Sequence, residues 1–514
     1  METEPNVELT PIEYPIADGE TLSIFTGAPS GPPCVRDSWA EYELFDVAEE
    51  ATGVSIEWDE VPLPNSAEQL SLRVATGDLP DLVVGLEEVS GGLISAYDNG
   101  LIYDLSDYIQ TCAPDYYTYT RITNDIEKDL LTDEGYELSI HVIHDGLDTF
   151  NGMCLRKDWL DELGLDIPTT YNELYEVMSA IVNAYNPKEP ISLDSTLAYK
   201  HAWMSAGYGV GNYSVSSTEM LTSFYLKDGG DTVTIALLDE DYKDYISMLH
   251  SWYEAGFVTK DFVSTSNSEN DILQLICGND MAMCCISTES LATYYSNAND
   301  EDFELVPLTL ISEDGTEEIN HFCLNYVIND NNVAVTTNCD DLELALKWIN
   351  YWYTDEGIML MNYGVEGISY TKEADGSIAF TDVIVNNPEY PTMSVTGMLM
   401  RYNCQGKMCG IHMIYNKDAI YTEAQLNSMK VWSSCLDNAY SMPFGVSLTT
   451  EESSKITGTF NDIATYASEQ LLAFVTGDSS MDEWDRFVDT IRSMGLEECV
   501  EVYQDAYDRY CQRA

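Results

Sequence analysis

The spacing of apolar residues along the first hundred positions predicts strands that alternate with helices. Short apolar or alternating runs at 21–25, 54–58 and 81–84 predict three strands. Between them, apolar residues recur at helical spacing, and the runs stop at Gly53 and Gly77, where glycine is typical of a helix end. This alternation predicts a parallel sheet with right-handed crossovers.

Two glycine-rich loops follow the first and third of these strands. One reads GAPSGPP at 27–33, and the other occupies 85–92. The carboxyl ends of parallel strands meet at one edge of a sheet, and ligands bind in the crevice outside that edge. We therefore expect these two loops to line a binding site.

Residues 152–185 carry the clearest succession of a short strand, a helix, a tight loop and a second helix. Asp158 is expected to cap the first helix, which should end at Gly164. Thr170 and Glu173 have the spacing of a capping box at the start of the second helix. The buried stripe of that helix is predicted to comprise Leu174, Val177, Met178, Ile181, Val182 and Tyr185.

The rest of the chain continues the mixture of strands and helices. Strands are predicted at 137–143, 281–286 and 303–308, a helix is predicted after 333–336, and the carboxyl-terminal stretch after Phe460 has helical spacing. The segment 370–440 is the least regular and reads as an elaborated loop region with short helices.

Length and charge narrow the class of protein. A chain of 514 residues exceeds one ordinary core, so two lobes or more are expected. The 89 acidic residues against 22 basic ones give a net charge of −67, which disfavours nucleic acids and anionic lipid surfaces as partners. The 13 cysteines are an odd number without metal-binding spacing, so at least one thiol is free or pairs outside the chain.

No enzyme motif stands out. The chain has no Gly-x-Ser-x-Gly elbow, phosphate-binding loop or His-Glu-x-x-His sequence. His141 and His144 are three apart on a predicted strand, so they should point to opposite faces and make a poor metal pair. Among so many carboxylates a pair suited to glycoside hydrolysis stays possible, but no pair is marked out.

Several phrases, in order, resemble one family. LRVATGDLPDLVV at 72–84, LIYDLSDYI at 101–109, LRKDWLDELGLDIPTTYNELYEVM at 155–178 and WINYWYTDEGIMLMNYGVEGISY at 348–370 are similar to segments of family 1 extracellular solute-binding proteins. The carboxyl-terminal residues from 476 are similar to that family's end. These proteins are the ligand-capturing components of carbohydrate ABC importers.

The resemblance implies a two-lobed α/β fold of the type II periplasmic-binding-protein class, with a largely parallel sheet flanked by helices in each lobe and a hinge between them. Residues 1–20 would be a tether. The first lobe would comprise 21–148 and 322–370, and the second 149–321 and 371–514.

The resemblance also implies a function. We expect non-catalytic capture of an oligosaccharide, expected to be neutral, and its delivery to the permease subunits of an ABC transporter. The protein would be a monomer without nucleic-acid partners, held outside the cell by a lipid on a cysteine upstream of the tether, after removal of a signal peptide. The alternatives are an exported polysaccharide-degrading enzyme and a surface glycan adhesin.

Aromatic residues outside regular elements are the candidate sugar platforms, because sugar rings stack on aromatic faces while polar groups bind the hydroxyls. No catalytic residue, cofactor or metal is predicted: some relatives, including alginate-binding ones, carry a calcium loop where this chain reads NAYNPKEPISLDS at 183–195, which lacks their alternating acidic oxygens. The candidate ligand-binding residues are Trp39, Trp203, Tyr208, Glu366, Tyr370 and Trp432.

Overall fold

The fold is described from a computed structural model of the chain. It describes residues 9–31, 33–146, 151–193, 197, 202–210, 224–227, 230–264, 268–309, 312, 327–391, 393–404, 407–413, 420–434 and 441–513.

A six-stranded sheet forms the centre of the first lobe, in the order β13-β4-β10-β3-β1-β2. β1 is parallel to both β2 and β3, as the alternating pattern predicts, whereas β10 runs antiparallel between β3 and β4. Its strands are β1 (Glu20–Gly27), β2 (Val54–Val61), β3 (Leu82–Val84), β4 (Ile140–Asp145), β10 (Ile328–Val335) and β13 (Ile411–Met413).

Helices cover both faces of this sheet because successive side chains of a strand point to opposite sides. Ile24 thus packs in one apolar cluster and its neighbour Phe25 in another. The helices are α1 (Glu43–Thr52), α2 (Ser66–Thr76), α3 (Gly92–Asp98), α4 (Ile109–Cys112), α5 (Pro114–Tyr117), α6 (Glu127–Leu130), α13 (Leu342–Tyr351), α14 (Asp355–Tyr363), α15 (Asp382–Val385) and α16 (Val395–Leu399), with a hairpin of β11 (Tyr370–Lys372) and β12 (Ile378–Phe380).

The second lobe has its own large apolar core, built around a three-stranded sheet in the order β8-β5-β9. β5 runs antiparallel to both neighbours, so the described strands differ from the largely parallel sheet expected for this lobe. The strands of the lobe are β5 (Asn151–Arg156), β6 (Phe224–Lys227), β7 (Thr232–Ile235), β8 (Met283–Ser287) and β9 (Leu305–Pro307).

Helices supply most of the second core, and the longest runs over 27 residues near the carboxyl terminus. The helices are α7 (Lys157–Leu163), α8 (Tyr171–Tyr185), α9 (Ala202–Ala206), α10 (Glu240–Ala255), α11 (Glu269–Cys277), α12 (Thr288–Asn297), α17 (Glu423–Ser433), α18 (Thr450–Thr476), α19 (Trp484–Met494) and α20 (Leu496–Gln512). The two-lobed α/β architecture predicted from the sequence is confirmed.

The chain passes from the first lobe back into the second at a later residue than the sequence predicts. The family resemblance predicts that 371–514 belongs to the second lobe, but β13 pairs in parallel with β4 of the first sheet. Cys404, Met408 and Ile411 also pack into the core of the first lobe. A three-residue strand has too little hydrophobic periodicity to be recognised from sequence, which explains the difference.

Two helix starts also differ from expectation. Asp158 does not cap α7; its carboxylate accepts two hydrogen bonds from the guanidinium of Arg156, at 2.9 and 2.6 Å. The helix predicted between β1 and β2 begins only at Glu43, because Tyr42 has an extended backbone that separates a short 3₁₀ turn (Trp39–Glu41) from α1. Thr170 caps α8 as predicted, by accepting from the backbone N–H of Glu173.

The described cysteines are all free thiols, most of them buried. None of the helices in the described ranges combines the length and the apolar character needed to cross a membrane.

Candidate functional site

A cavity of about 300 Å³ lies at the carboxyl edge of the first sheet. β1 and β3 lie side by side in parallel, so the loops that follow Gly27 and Val84 meet at this edge. Both loops predicted from the sequence contribute to the lining, through 27–30 and 85–88. The rest of the lining includes Trp39, Tyr42, Leu63, Asn331, Met400, Asn403 and Lys407.

Trp39 is the central aromatic residue of this first cavity. Its indole Nε1 donates to the carbonyl oxygen of Gly27 at 2.9 Å, and its backbone N–H donates to the carboxylate of Glu60 at 2.6 Å. Its ring also packs against the rings of Tyr42 and Phe45, with centroids 5.1 and 6.4 Å away. Trp39 is therefore held in one orientation on the cavity wall.

Tyr42 and Asn403 provide polar groups next to Trp39 in the first cavity. The hydroxyl of Tyr42 donates to the carbonyl of Met400 at 3.1 Å, and burial raises the pKa of this phenol to about 12, so it stays protonated. Asn403 is 1% exposed and donates from Nδ2 to the carbonyl of Asn362 at 2.8 Å. Its Oδ1 accepts no hydrogen bond from any residue that the structure describes.

A second cavity, of about 410 Å³, lies between the two lobes. His141, on β4, is directed toward lobe 2: its ring meets the ring of Phe444 edge to face, with centroids 5.4 Å apart. The imidazole Nε2 of His141 also forms a hydrogen bond with the hydroxyl of Ser139 at 3.0 Å. Lobe 1 lines this cavity with Glu87, Val89, 91–94, 129–132, Leu138, Ser139, His141 and Asn332, and lobe 2 with Phe444, Gly445, Ser447, Leu448, Ser453 and Tyr503.

Glu87 lies at the junction of the two cavities and lines both. It follows β3 in a short 3₁₀ turn, which begins after Gly85 in the left-handed region at φ +85°. The amide Nδ2 of Asn332, a nearly buried residue of β10, donates to Oε2 of Glu87 at 2.8 Å. The linings of the two cavities thus share one carboxylate, and we call the two cavities together the groove.

Charged contacts between the lobes border the second cavity, and we call this group the interlobe clasp. The carboxylate of Asp133 in lobe 1 accepts from the guanidinium groups of Arg509 and Arg513 on lobe 2, at 2.7 Å each. The hydroxyl of Tyr510, on α20, donates to Asp129 at 2.8 Å, and Asp129 also accepts from the backbone N–H of Gly445. The clasp joins α20 to the segment that follows α6.

The aromatic segment of lobe 2 contributes to neither cavity within the described residues. Tyr208 is half-buried and stacks on Tyr171, with ring centroids 5.3 Å apart, while Tyr245 lies 5.9 Å away. Trp203 belongs to α9, but its side chain lies outside the described residues.

The other three candidate residues lie apart from the groove. Glu366 is exposed in a turn, where it forms a backbone bridge with Tyr370. Tyr370 is 3% exposed, packs 5.8 Å from Tyr363, and has its pKa raised to about 12 by burial. Trp432 lies in the core of lobe 2, fully buried against Gly152, and its Nε1 donates to the carbonyl of Met153 at 3.2 Å.

Of the five candidates whose side chains the structure describes, only Trp39 lies in the lining of these cavities. The structure adds Glu87, His141, Asn403 and Phe444, which sequence reasoning did not select. Glu87 lies inside the loop at 85–92, which the sequence predicts to line a binding site, although nothing in the sequence selects this residue within the loop. Asn403 and Phe444 lie in the irregular part of the chain, where no local pattern marks them.

The arrangement fits ligand binding better than bond cleavage. Its aromatic residues, amide groups and the carboxylate at the junction form a recognition surface in which polar and apolar groups alternate. In the described ranges, no cluster of three or more histidine, cysteine, aspartate or glutamate side chains could hold a metal ion.

Comparison with known proteins agrees with this geometry. A family model described as bacterial extracellular solute-binding protein matches residues 43–392. A polygalacturonan/rhamnogalacturonan-binding protein of Bacillus subtilis is 23% identical over 89% of this chain and 86% of its own length. The fructooligosaccharide ABC transporter substrate-binding protein of Streptococcus pneumoniae is 21% identical over 99% of this chain and 94% of its own.

The fold is also similar to solved structures. An HMO-binding, ABC-transporter-associated solute-binding protein from Bifidobacterium longum infantis superposes with a TM-score of 0.78, covering 96% of this chain and 99% of that chain at 19% identity. A likeness at this identity supports the two-lobed fold.

Proposed function

The chain belongs to the bacterial extracellular solute-binding proteins, and from that premise we propose that it captures an oligosaccharide without cleaving it and delivers it to the permease of an ABC transporter. The observation that carries the proposal is the groove formed by two cavities at the carboxyl edge of the first sheet. One of them is lined by both lobes. A ligand that lies across this groove contacts both lobes and so favours the arrangement in which they are close.

The lining of the first cavity suits a sugar ring. Trp39 is only 5% exposed and is held rigidly in the wall, so the part of its ring that faces the cavity is already ordered in the free protein. The buried Oδ1 of Asn403 accepts from no described residue and can accept a hydrogen bond from a ligand hydroxyl.

The size of the groove favours an oligosaccharide over a single sugar. The two cavities measure about 300 and 410 Å³, and they meet at Glu87. Ligand pockets in proteins commonly range from roughly 300 to 1,000 Å³. A chain of several sugars can therefore extend from the wall at Trp39 to the interlobe contact of His141 and Phe444.

Location and partners form the finer part of the proposal. Members of the family work outside the cell, and a lipid on a cysteine upstream of the tether would keep this protein close to its permease. The closed form would then dock on the permease as a monomer. Membrane fractionation of the protein expressed with its upstream sequence tests the anchor: recovery only in the soluble fraction would contradict it.

A titration against plant, milk and microbial oligosaccharides tests the capture function. A ligand bound only by the native state raises the free energy of unfolding by about 2.7 kcal/mol at a hundredfold excess over its Kd. We expect one class of oligosaccharide to raise the melting temperature and to be recovered intact by product analysis. Release of shorter sugars would support the alternative of a degrading enzyme.

Small-angle scattering separates capture from adhesion. Closure of the lobes around a ligand decreases the radius of gyration, whereas a rigid glycan adhesin keeps its shape on binding. Binding without compaction would therefore favour the adhesin.

A further inference from the structure

Glu87 occupies a position from which it can contact a ligand in either cavity. It lies in the 3₁₀ turn after β3, at the edge where β1 and β3 end side by side. It lines both the cavity of lobe 1 and the cavity between the lobes. A ligand that spans the groove must therefore pass this carboxylate.

The carboxylate is held in place from the opposite strand. Asn332 is 1% exposed on β10, and its Nδ2 donates to Oε2 of Glu87 at 2.8 Å. A hydrogen bond from an amide of the sheet limits the movement of this side chain, so its charge stays at the junction. An oriented carboxylate is an acceptor that can take two or more hydroxyl donors from a sugar.

The charge balance of the described lining is unfavourable for anions. Among the described lining residues, the acidic side chains are Glu87, Glu88 and Asp129, and the basic one is Lys407. The whole chain carries a net charge of −67, which makes the electrostatic potential at the groove more negative. Glu87 and Glu88 are exposed, so their repulsion of an anionic ligand is partly screened by solvent and weakens further with salt.

We propose that Glu87 determines which class of sugar the groove accepts: its carboxylate accepts hydrogen bonds from the hydroxyls of neutral oligosaccharides and repels sugars whose carbon 6 is a carboxylate. This inference rests on the proposed function, and it assigns the substrate class and the residue that selects it. Specificity of this kind comes from a repulsive group as well as an attractive one.

The test uses sugar pairs that differ only at carbon 6. Galactotriose is compared with trigalacturonic acid, and mannotriose with trimannuronic acid, alongside neutral fructo- and xylo-oligosaccharides, by calorimetric titration at low and physiological salt. We expect the wild type to bind a neutral sugar at least tenfold more tightly than its acidic counterpart. High salt should decrease the difference in Kd between the neutral and the acidic sugar, because screening weakens the repulsion between Glu87 and the sugar carboxylates.

Glu87→Gln removes the charge and keeps nearly the same shape. We expect it to weaken neutral binding about tenfold and to reduce the preference for neutral over acidic sugars by a similar factor, with an unchanged melting temperature. Glu373→Gln is the matched control, since Glu373 is exposed in the turn between β11 and β12 and lines neither cavity. It should change neither the Kd for neutral sugars nor the preference for neutral over acidic ones.

Each remaining outcome has a definite meaning. If the wild type binds the acidic member of a pair as tightly as the neutral one, or if Glu87→Gln leaves their ratio unchanged, the role of Glu87 is overturned while the capture function stands. If the wild type binds no sugar of the panel, the capture function itself is overturned, and the inference about Glu87 fails with it.

Discussion

Trp39 is oriented by the protein before any ligand is present. The bond from its indole to Gly27 and the packing against Tyr42 restrict the ring at the end of β1. The wall of the first cavity is thus a rigid unit, and rigidity lowers the entropic cost of binding.

Replacing Trp39 with phenylalanine should weaken binding more than it harms folding. Trp39→Phe keeps an aromatic ring but loses the hydrogen bond to Gly27, at a cost of about 1 kcal/mol in the free energy of unfolding. We expect the Kd for a neutral oligosaccharide to rise at least tenfold, as at other aromatic anchors. Calorimetric titration and urea unfolding measure the two effects.

Trp432→Phe is the control for that prediction. Trp432 is fully buried in the core of lobe 2 and also donates one hydrogen bond, to Met153, but it lines neither cavity. The free energy of unfolding should fall, and the Kd should stay within about twofold of the wild type. Equal changes of Kd in the two variants would remove Trp39 from the site.

The histidine pair His144 and His412 should make the stability depend on pH. Their rings lie 5.0 Å apart on neighbouring parallel strands. Burial, followed by the charges of His144 and Lys407, lowers the pKa of His412 to about 4, and burial also lowers that of His144. Since these side chains titrate near pH 6.5 when unfolded, the unfolded state binds more protons below that pH.

Stability from His412 is therefore complete above pH 6.5 and is lost as the pH falls through about 4. Between pH 7 and 5 we expect the free energy of unfolding to decrease by about 2 kcal/mol through this residue. Urea unfolding of the wild type and His412→Asn at both pH values measures it, because the variant removes this contribution. Parallel pH dependences in the two proteins would contradict the prediction.

At the scale of elements, α20 connects the carboxyl terminus to the opposite lobe. Its Arg509 and the adjoining Arg513 share the carboxylate of Asp133, and Arg509 also pairs with Glu452 at the start of α18. The side chain of Arg513 is only 6% exposed, so its charge depends on this partner. The clasp thus holds the two lobes together beside the second cavity.

Asp133→Asn should loosen the clasp. The change leaves two arginine side chains without their shared carboxylate, and we expect the free energy of unfolding to fall by roughly 2 kcal/mol. Hydrogen exchange of α20 should become faster. Glu343→Gln, which breaks the exposed pair with Lys347 on α13, should cost no more than about 0.5 kcal/mol. Equal losses in both variants would show that the clasp is no stronger than a surface ion pair.

At the scale of the whole molecule, we predict that stability does not depend on calcium. The loop after α8 contains Lys188, whose positive charge is unfavourable next to a calcium ion. Burial raises the pKa of the neighbouring Glu189, which favours its neutral carboxyl form. A chelator should therefore leave the melting temperature within about one degree, since a bound ion would otherwise contribute by mass action. A sharp decrease with the chelator that calcium reverses would prove the prediction wrong.

Local features of the sequence predicted much of the fold. The helix ends at Gly53, Gly77 and Gly164 follow from the left-handed conformation that glycine adopts readily, with φ of +76°, +71° and +67°. The strand β1 and the two loops of the groove were also predicted. These features depend on residues a few positions apart, so they can be recognised without knowledge of the fold.

The composition of the groove depends on contacts between distant parts of the chain. Trp39 and Trp432 are both isolated tryptophans in the sequence, but only Trp39 lines a cavity, because Trp432 packs against Gly152 from another element. Whether a tryptophan lines a cavity or packs in the core thus depends on which other elements of the fold lie next to it.

The sequence alone therefore determined the class of elements, their order and the family, since periodicity, capping and similar phrases are local. Only the tertiary structure decided that β13 belongs to the first sheet, that Glu87 joins two cavities, and that Asp133 meets Arg513 across 380 positions. The physical reason is that these contacts arise when separate elements pack, and pairing across long separations leaves no periodic pattern in the chain.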